Sequence, residues 1–263
     1  MTTDELIQLS DLNYAESMRE LSRRAGGVVH DEDGILFYAG PHPLPVLSNG
    51  VMRTDLGLGA DEVLGRAKDF FTHQRRGYSV LIRAHADDDL RAAASAAGLV
   101  QMGDAPGMVL DHRLPDAVAP SGVKLSQVES RADAAAFAEV MGAAYATFGM
   151  PPGVTPVLFA RPETLMAPHI VAFLASAEDV PRAGAMVIVT HGVAGIYWVG
   201  TVPEARGRGL AELCTRAAGN AGFDRGARIA ALQASVMGEP VYRRMGYFEV
   251  TRYPFFVQFK TPT

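Results

Sequence analysis

The sequence predicts an α+β fold, in which a mixed, mostly antiparallel sheet is flanked by helices and the whole pattern occurs twice in tandem. Each half of the chain carries strand-like runs and then alternates helix and strand. A stretch of prolines and small residues at 114–122 separates the halves, as a linker would. The chain has 263 residues, enough for two ordinary domains. We place them at 1–118 and 119–263.

In the first half, turn residues and hydrophobic spacing delimit the predicted elements. Gly40-Pro41 ends a strand, Asn49-Gly50 marks a turn, and Gly77 follows a helical pattern. We assign no element before residue 34. In chain order we predict a strand at 34–39, a strand at 44–53, a helix around 63–71, a strand at 78–83, an alanine-rich helix at 88–97 and a strand at 108–111.

The second half begins with a well-marked helix. Ser130 and Asp133 have capping-box spacing, an apolar stripe follows, and Gly149 ends it. A short helix is expected near Val157. The remaining predicted elements are strands at 169–175, 183–190 and 194–202, a helix at 208–222, a strand at 229–235, a short helix at 240–245 and a strand at 253–259.

Composition excludes several classes of function. The net charge is −5 and no basic cluster is present, so a duplex nucleic-acid partner is not expected. No apolar run approaches the ~20 residues that span a bilayer, and the acidic start lacks a secretory signal. Cys214 is the one cysteine and is expected to pack as a small side chain, which fits a cytoplasmic protein. The histidines show no metal-ligand spacing, so no metal is assigned.

Residues 195–211 carry the strongest chemical signal. A strand runs into a glycine-rich loop that opens an amphipathic helix. Helix N-termini present unpaired N–H groups that suit a phosphate, and Gly207 and Gly209 let the backbone approach an anion closely. Arg206 and Arg208 add positive charge. The loop therefore predicts a pyrophosphate cradle, although a plain surface turn is the alternative. It matches neither a Walker loop nor the dinucleotide fingerprint.

This segment resembles the signature of the GNAT superfamily of coenzyme A-dependent acyltransferases. The signature is Gln or Arg, two residues, Gly, one residue, then Gly or Ala, and Arg206, Gly209 and Ala211 match it. Many members also carry a tyrosine four residues before a Gly-aromatic pair, as Tyr242 stands before Gly246-Tyr247. The two matches occur in order, and the resemblance covers roughly 121–260.

The resemblance implies acetyl-CoA as co-substrate and assigns roles to particular residues. Thr201 and Val202 would offer backbone groups to the pantetheine arm and the thioester, and an N–H near Val202 would stabilise the oxyanion. Ser235 stands where many relatives carry asparagine. Tyr242 would lie near the sulfur as general acid, with a core tyrosine as the alternative. The pyrophosphate would be held by the N–H groups of Arg206, Gly207, Arg208, Gly209, Leu210 and Ala211.

The general base is less well defined by the sequence. Many GNAT enzymes place a glutamate on the strand before the loop, but 196–202 contains no acid. Glu204, His191 and Glu163 are alternatives, as is proton removal by water. Trp198 is predicted either to wall the acceptor pocket or to pack in the core. The expected function is transfer of an acetyl group to an amine of a small molecule or a protein, by direct attack in a ternary complex.

Two other functions remain open at this stage. The missing strand glutamate favours a non-catalytic acyl-CoA-binding sensor, and a purely structural tandem domain is the third alternative. The oligomeric state, a homo-oligomer included, is left open. In the first half, 55–60 has the glycine spacing of the loop but starts at Thr54 instead of Arg or Gln. We expect this half not to bind coenzyme A tightly, to pack against the second half, and to wall the acceptor site.

Overall fold

The computed structural model describes residues 1–259, within which the chain forms seven α-helices and eleven strands. The helices are α1 (Thr3–Arg24), α2 (Ala60–His73), α3 (Asp88–Ala96), α4 (Arg131–Ala146), α5 (Val154–Leu158), α6 (Leu210–Phe223) and α7 (Glu239–Met245). The strands are β1 (Val28–Glu32), β2 (Ile35–Ala39), β3 (Asn49–Arg53), β4 (Tyr78–Leu81), β5 (Val100–Leu110), β6 (Val123–Gln127), β7 (Ile170–Ala177), β8 (Val180–Thr190), β9 (Val193–Thr201), β10 (Ile229–Gln233) and β11 (Phe248–Gln258).

These strands form one continuous sheet in the order β1-β2-β3-β4-β11-β5-β10-β9-β8-β7-β6. Neighbours are antiparallel except for two parallel pairs, β3 with β4 and β9 with β10. Each parallel pair is joined by a helix, α2 in the first half and α6 in the second, because parallel strands need a crossover connection. The predicted mixed, mostly antiparallel sheet and its tandem repetition are therefore confirmed.

The last strand of each half lies in the sheet of the other half. Strand β5 pairs with β10, and β11 lies between β4 and β5. The predicted boundary between 118 and 119 falls between β5 and β6, and it remains a prediction. Residues 260–263, the end of the predicted second domain, lie outside the described residues.

The first half contains elements that the sequence patterns did not predict. Helix α1 begins with a complete capping box between Thr2 and Glu5. Its buried face, however, includes the polar residues Ser10, Asn13 and Ser17. A buried face with so many polar residues conceals the hydrophobic spacing of a helix. Strand β1 was also not predicted. The predicted strand at 44–53 is reduced to β3, and the one at 108–111 is the end of the longer β5.

In the second half, the predicted elements occur close to their expected positions, except that the strand predicted at 253–259 is the later part of the longer β11. The hydroxyl of Ser130 accepts a hydrogen bond from the Asp133 N–H at 3.1 Å, which fixes the start of α4 as the capping pattern predicted. Strand β6 was not predicted, because its residues are mostly half-buried or exposed at the sheet edge. Within residues 1–259, no helix combines the length and the apolar character needed to cross a membrane.

Helix α1 belongs to the first half and packs on strands of both halves. The Asn13 side chain donates to the carbonyls of Ile188 and Val193, and the Tyr197 hydroxyl donates to Asn13 Oδ1 at 2.6 Å. A Cβ at Gly195 would collide with Asn13, so α1 lies directly against β9. The first half therefore contributes directly to the surroundings of the strand that precedes the glycine-rich loop.

Candidate active site

Strands β9 and β10 separate after a short parallel contact. They pair only through Val193, Ala194 and Gly195 of β9, although β9 continues to Thr201. A cavity of about 290 Å³ opens beside the separated part, between the C-terminal end of α4, the start of α6 and the start of α7. We call it the cleft cavity. Thr201, which the family resemblance places beside the pantetheine arm, lies at the end of this separated part.

A β-bulge lies on β9 beside the cleft cavity. The register between β8 and β9 shifts between the pairs Gly184–Gly200 and Met186–Tyr197, so Trp198 and Val199 face one residue of β8. Trp198 adopts φ +50°, a left-handed conformation that is unfavourable for a non-glycine residue. Bulges redirect side chains and backbone groups, and here Val199 lines the cleft cavity.

The glycine-rich loop has the conformation that an anion cradle requires. Gly207 and Gly209 have φ values of +75° and +74°, and a Cβ at either would meet no protein atom within 4 Å. Both glycines line the cleft cavity. Their freedom is therefore used to turn the backbone, and the space in front of them is open for a ligand.

Helix α6 starts at the edge of this space without a cap. Gly209 is the N-cap residue, and no side chain accepts a hydrogen bond from the first turn. Helix N-termini leave N–H groups unpaired and carry a partial positive charge. The first residues, Leu210 and Ala211, line the cleft cavity. This arrangement can bind a phosphate through backbone donors alone.

Arginine side chains support the loop in two ways. Arg206 donates to the carbonyls of Thr201 and Ala144, each at 3.3 Å, and to Thr147 Oγ1 at 3.0 Å. It therefore fixes the loop to the C-terminal end of α4. Arg244, on α7, also lines the cleft cavity and adds positive charge there. This residue was not among the predicted ones.

Most predicted cofactor-binding residues line the cleft cavity, and two do not. Those that line it are Thr201, Arg206, Gly207, Gly209, Leu210, Ala211 and Ser235. Arg208 is exposed outside the lining. Val202 is buried, and its N–H donates to the Arg182 carbonyl at 2.9 Å. The N–H of Val202 itself is therefore already paired, and the expectation of an oxyanion donor near Val202 stays a prediction that other N–H groups of this segment would have to fulfil.

Thr201 and Ser235 both line the cleft cavity, and each carries a hydroxyl group. The Thr201 hydroxyl is buried and has no hydrogen-bond partner in the described structure. Ser235 Oγ accepts from the Gly238 N–H at 3.1 Å and so caps the start of α7. Its hydroxyl proton remains available to a ligand.

Tyr242 lies at the inner end of the cleft cavity and is only 7% exposed. Gly238 allows this position, because a Cβ there would come within 2.8 Å of the Tyr242 ring. Burial, with smaller contributions from Tyr145 and Tyr247, raises the pKa of Tyr242 well above its ordinary value. The phenol is therefore protonated at neutral pH and can donate a hydrogen bond into the cavity.

None of the three residues considered as general base lines the cleft cavity. Glu204 is exposed and pairs with Arg182 at 2.8 Å. His191 is exposed in the β8–β9 turn, and Glu163 is exposed in the 3₁₀ turn Pro162–Thr164. Among the residues around this cavity in the described chain, Glu212 is the one carboxylate, and it pairs with Arg216 at 2.9 Å.

The sequence patterns also missed aromatic residues of the site. Tyr145 and Phe148, at the end of α4, line the cleft cavity. They were assigned to an apolar stripe, and their spacing does not distinguish a cavity wall from a core. Tyr145 packs on Trp198 with ring centroids 5.1 Å apart, and Trp198 packs edge-on against Phe159 at 5.2 Å. Trp198 is half-buried.

Cys214 packs in the core, as predicted. It is fully buried on α6, and burial raises the pKa of its thiol to about 12. A thiol with so high a pKa is unreactive at neutral pH.

In the first half, a buried arginine lies at the end of β3, the strand that precedes the loop with similar glycine spacing. Arg53, at the end of β3, is 2% exposed and donates to Asp87 Oδ1 at 3.0 Å, to Asp89 Oδ2 at 2.9 Å and to the Leu58 carbonyl at 3.0 Å. The related glycines also differ, since Gly59 has φ −68°. In this loop the Leu58 carbonyl therefore points toward the Arg53 guanidinium.

Comparison with known proteins agrees with this architecture. No protein-family profile and no curated protein sequence matches the chain. Among solved structures, a GCN5-related N-acetyltransferase from Kribbella flavida superimposes with a TM-score of 0.72 at 21% identity, covering 95% of each chain. One from Sphaerobacter thermophilus gives a TM-score of 0.63 at 19% identity, covering 87% of this chain and 78% of that one.

A tandem GNAT protein from the clavulanic acid biosynthesis pathway is also similar. It gives a TM-score of 0.56 at 14% identity over 87% of this chain and 79% of its own. The fold and its repetition thus define the class: this is a protein of the GNAT fold. More particularly, it is a tandem GNAT-fold chain, in which the second half carries the open cleft cavity and the first half has a buried arginine at the end of β3.

Proposed function

We propose that this protein is an acyl-CoA-dependent N-acyltransferase that moves an acetyl group from acetyl-CoA to an amine. The observation that carries the proposal is the uncapped start of α6 behind two left-handed glycines. These groups open on a cavity of about 290 Å³ with a buried tyrosine at its inner end. Such an arrangement suits a ligand with a phosphate group at one end and a reactive group at the other.

The residues of the cleft cavity fit coenzyme A. The N–H groups from Gly207 to Ala211 would hold the pyrophosphate, and Arg244 would add positive charge beside it. The pantetheine arm would follow the part of β9 that does not pair with β10, which ends at Thr201. Because Arg206 fixes the loop to α4, it would act by positioning the cradle.

In the proposed reaction, the amine nitrogen attacks the thioester carbon. The C–N bond forms, the C–S bond breaks, the sulfur takes up a proton and the nitrogen releases one. Because the Val202 N–H is already paired, the amide groups of the bulge at Trp198 and Val199 are the proposed donors to the oxyanion.

Tyr242 is the proposed proton donor to the sulfur. Its raised pKa keeps it protonated at neutral pH, so the phenol can donate a hydrogen bond to the developing thiolate. A phenol with so high a pKa is a weak acid. If Tyr242 transfers its proton fully to the sulfur, the resulting phenolate must therefore take up the proton that the amine releases. With no unpaired carboxylate around the described cavity, water carries that proton.

The test uses the full chain, acetyl-CoA and a panel of primary amines. Calorimetry should give one acetyl-CoA per chain, and thiol release should depend on the amine. Release can be followed with a thiol reagent, because buried Cys214 will not react with it. Absence of acetyl-CoA binding would refute the proposal.

The absence of an evident base favours one alternative, a non-catalytic acyl-CoA sensor. The same experiment separates the two functions. Tight binding of acetyl-CoA with no amine-dependent thiol release across the panel would support the sensor.

A further inference from the structure

One face of α6 extends from the cleft cavity to the two tyrosines that follow the start of α7. Ala211, Thr215 and Gly219 are spaced four residues apart, so they share this face. Ala211 lines the cleft cavity together with Tyr242. At the other end of the face, a Cβ at Gly219 would lie 3.6 Å from the Tyr247 hydroxyl. Because the rings of Tyr242 and Tyr247 are 5.9 Å apart, Thr215 is placed beside this tyrosine pair.

The Thr215 hydroxyl is buried in the packed interior without a partner. Thr215 is 0% exposed, and its Oγ1 makes no hydrogen bond in the described structure. A threonine inside a helix can donate to the carbonyl four residues earlier, which here belongs to Ala211, but this bond is not formed. Buried hydroxyls are normally hydrogen-bonded. The proton of Thr215 Oγ1 is therefore available to a neighbouring protein group on the same face of α6.

The oxygen of Tyr242 is the neighbour that can accept this proton in a hydrogen bond. Burial, the largest influence, raises the pKa of Tyr242, whereas hydrogen bonding with Thr215 acts in the opposite direction. A donor has this effect because it stabilises the phenolate form. The two hydroxyls therefore lie close together, although they are not aligned as a bonded pair. Tyr242 lines the cleft cavity and Thr215 does not, so Thr215 approaches the phenol from the interior.

We propose that Thr215 is a positioning residue, which donates a hydrogen bond to the Tyr242 oxygen while Tyr242 donates its own proton to the sulfur. This rests on the proposed acyltransfer. A donor on the interior side leaves the Tyr242 O–H directed toward the cleft cavity. It also stabilises negative charge on an oxygen that is otherwise costly to ionise in a buried position.

The proposed step moves one proton from oxygen to sulfur. As the C–S bond breaks, the proton of Tyr242 passes to the sulfur, and the electron pair of the O–H bond stays on the phenol oxygen. Thr215 keeps its own proton throughout. The phenolate then takes up, through water, the proton that the amine has released.

Thr215→Val tests this role, because it removes the hydroxyl with little change in volume. The value of kcat should fall about tenfold while KM for acetyl-CoA stays the same. Because the lost hydroxyl is buried and unpaired, the melting temperature should not fall. The matched control is Thr164→Val, since the Thr164 hydroxyl is also buried and unpaired but lies away from the cleft cavity, and its kcat should be unchanged. Equal kcat values for Thr215→Val and the wild-type chain would overturn the proposal.

Thr215→Ser separates the hydroxyl from the packing of the side chain. Serine keeps the hydroxyl and removes one buried methyl group, so kcat should recover toward the wild-type value while the melting temperature falls by about 2–4 °C. The valine and serine variants should therefore rank in opposite orders for activity and for stability. If activity follows stability in both variants, Thr215 serves only to pack α6 against its neighbours.

A double variant shows whether Thr215 acts through Tyr242. In a Tyr242→Phe background, adding Thr215→Val should lower kcat no further, because the group that accepts its hydrogen bond is already gone. A second loss of about tenfold in that background would refute the proposal.

Titration of bound coenzyme A keeps this proposal separate from the proposed function, because it needs no acyl transfer. The thiolate of the cofactor can be followed by its ultraviolet absorbance. A Tyr242 phenol that is positioned by Thr215 stabilises the thiolate, so the pKa of the bound thiol should be higher in Thr215→Val than in the wild-type chain and unchanged in Thr164→Val. That result would support the pair even if no amine were acetylated. Amine-dependent thiol release with equal kcat and equal thiol pKa in the wild-type chain and Thr215→Val would support the acyltransferase and refute the role of Thr215.

Discussion

Replacing Gly209 by alanine tests the cradle directly. Gly209 has φ +74°, and a Cβ there would meet no protein atom within 4 Å. The cost to the protein is therefore the left-handed backbone alone, about 1–2 kcal/mol, which corresponds to a drop of a few degrees in melting temperature.

The effect on ligand binding should be much larger, because the new methyl group would project where the diphosphate is proposed to lie. Displacing the diphosphate from two N–H donors, each contributing about 1.5–3 kcal/mol to a charged group, would remove at least about 3 kcal/mol. The dissociation constant for acetyl-CoA should then rise more than about 100-fold.

Gly226→Ala is the matched control. Gly226 has φ +87°, also has no atom within 4 Å of a Cβ, and does not line the cleft cavity. Calorimetry with acetyl-CoA and thermal unfolding should show equal losses of stability in the two variants and a loss of affinity only in Gly209→Ala. If Gly209→Ala binds acetyl-CoA as tightly as Gly226→Ala, the loop does not hold the diphosphate.

Three further predictions concern proton transfer, the first half and alkaline stability. Tyr242→Phe should lower kcat by about 100-fold or more with little change in acetyl-CoA affinity. The control Tyr247→Phe should keep kcat unchanged, because the Tyr247 ring lies 5.9 Å from that of Tyr242 and outside the cavity lining. Equal kcat values for the two variants in steady-state assays would exclude Tyr242 as the acid. Arg53→Met should lower the free energy of unfolding, measured in urea, by about 3 kcal/mol, because it breaks a buried ion pair with Asp87. Calorimetry on this variant should still find one acetyl-CoA per chain. Two sites per chain would contradict the assignment of acetyl-CoA binding to the second half alone. The free energy of unfolding should fall as the pH rises above about 10. Tyrosines of the unfolded chain ionise at that pH, whereas burial raises the pKa of Tyr38 in the folded chain to about 12. Urea midpoints that do not change between pH 8 and pH 11 would refute this prediction.

The sequence predicted the elements of the second half well because local chemistry determines them. The cap at Ser130 and the glycine-rich loop before α6 act within a few residues, and the structure contains both. The elements that were missed depend on distant contacts. Helix α1 buries Asn13 because its amide reaches carbonyls of β8 and β9, about 175 residues away along the chain.

In the candidate site too, the sequence predicted the features that local motifs determine and missed those that depend on distant contacts. The loop and Tyr242 were found from local motifs, and both lie at the cleft cavity. The paired state of the Val202 N–H depends on Arg182 in the neighbouring strand, and the role of Tyr145 as a cavity wall depends on where β9 bulges. Neither fact is contained in the spacing of the residues themselves.

The exchange of β5 and β11 has a consequence for biosynthesis. As the chain leaves the ribosome, β4 has no partner on one side until Phe255–Gln258 have been made, since these residues pair with Leu81–Tyr78. The nascent first half therefore carries an open strand edge through most of translation, and such edges favour aggregation. A fragment ending at residue 118 should be poorly soluble for the same reason, and supplying 119–263 as a separate chain should rescue it.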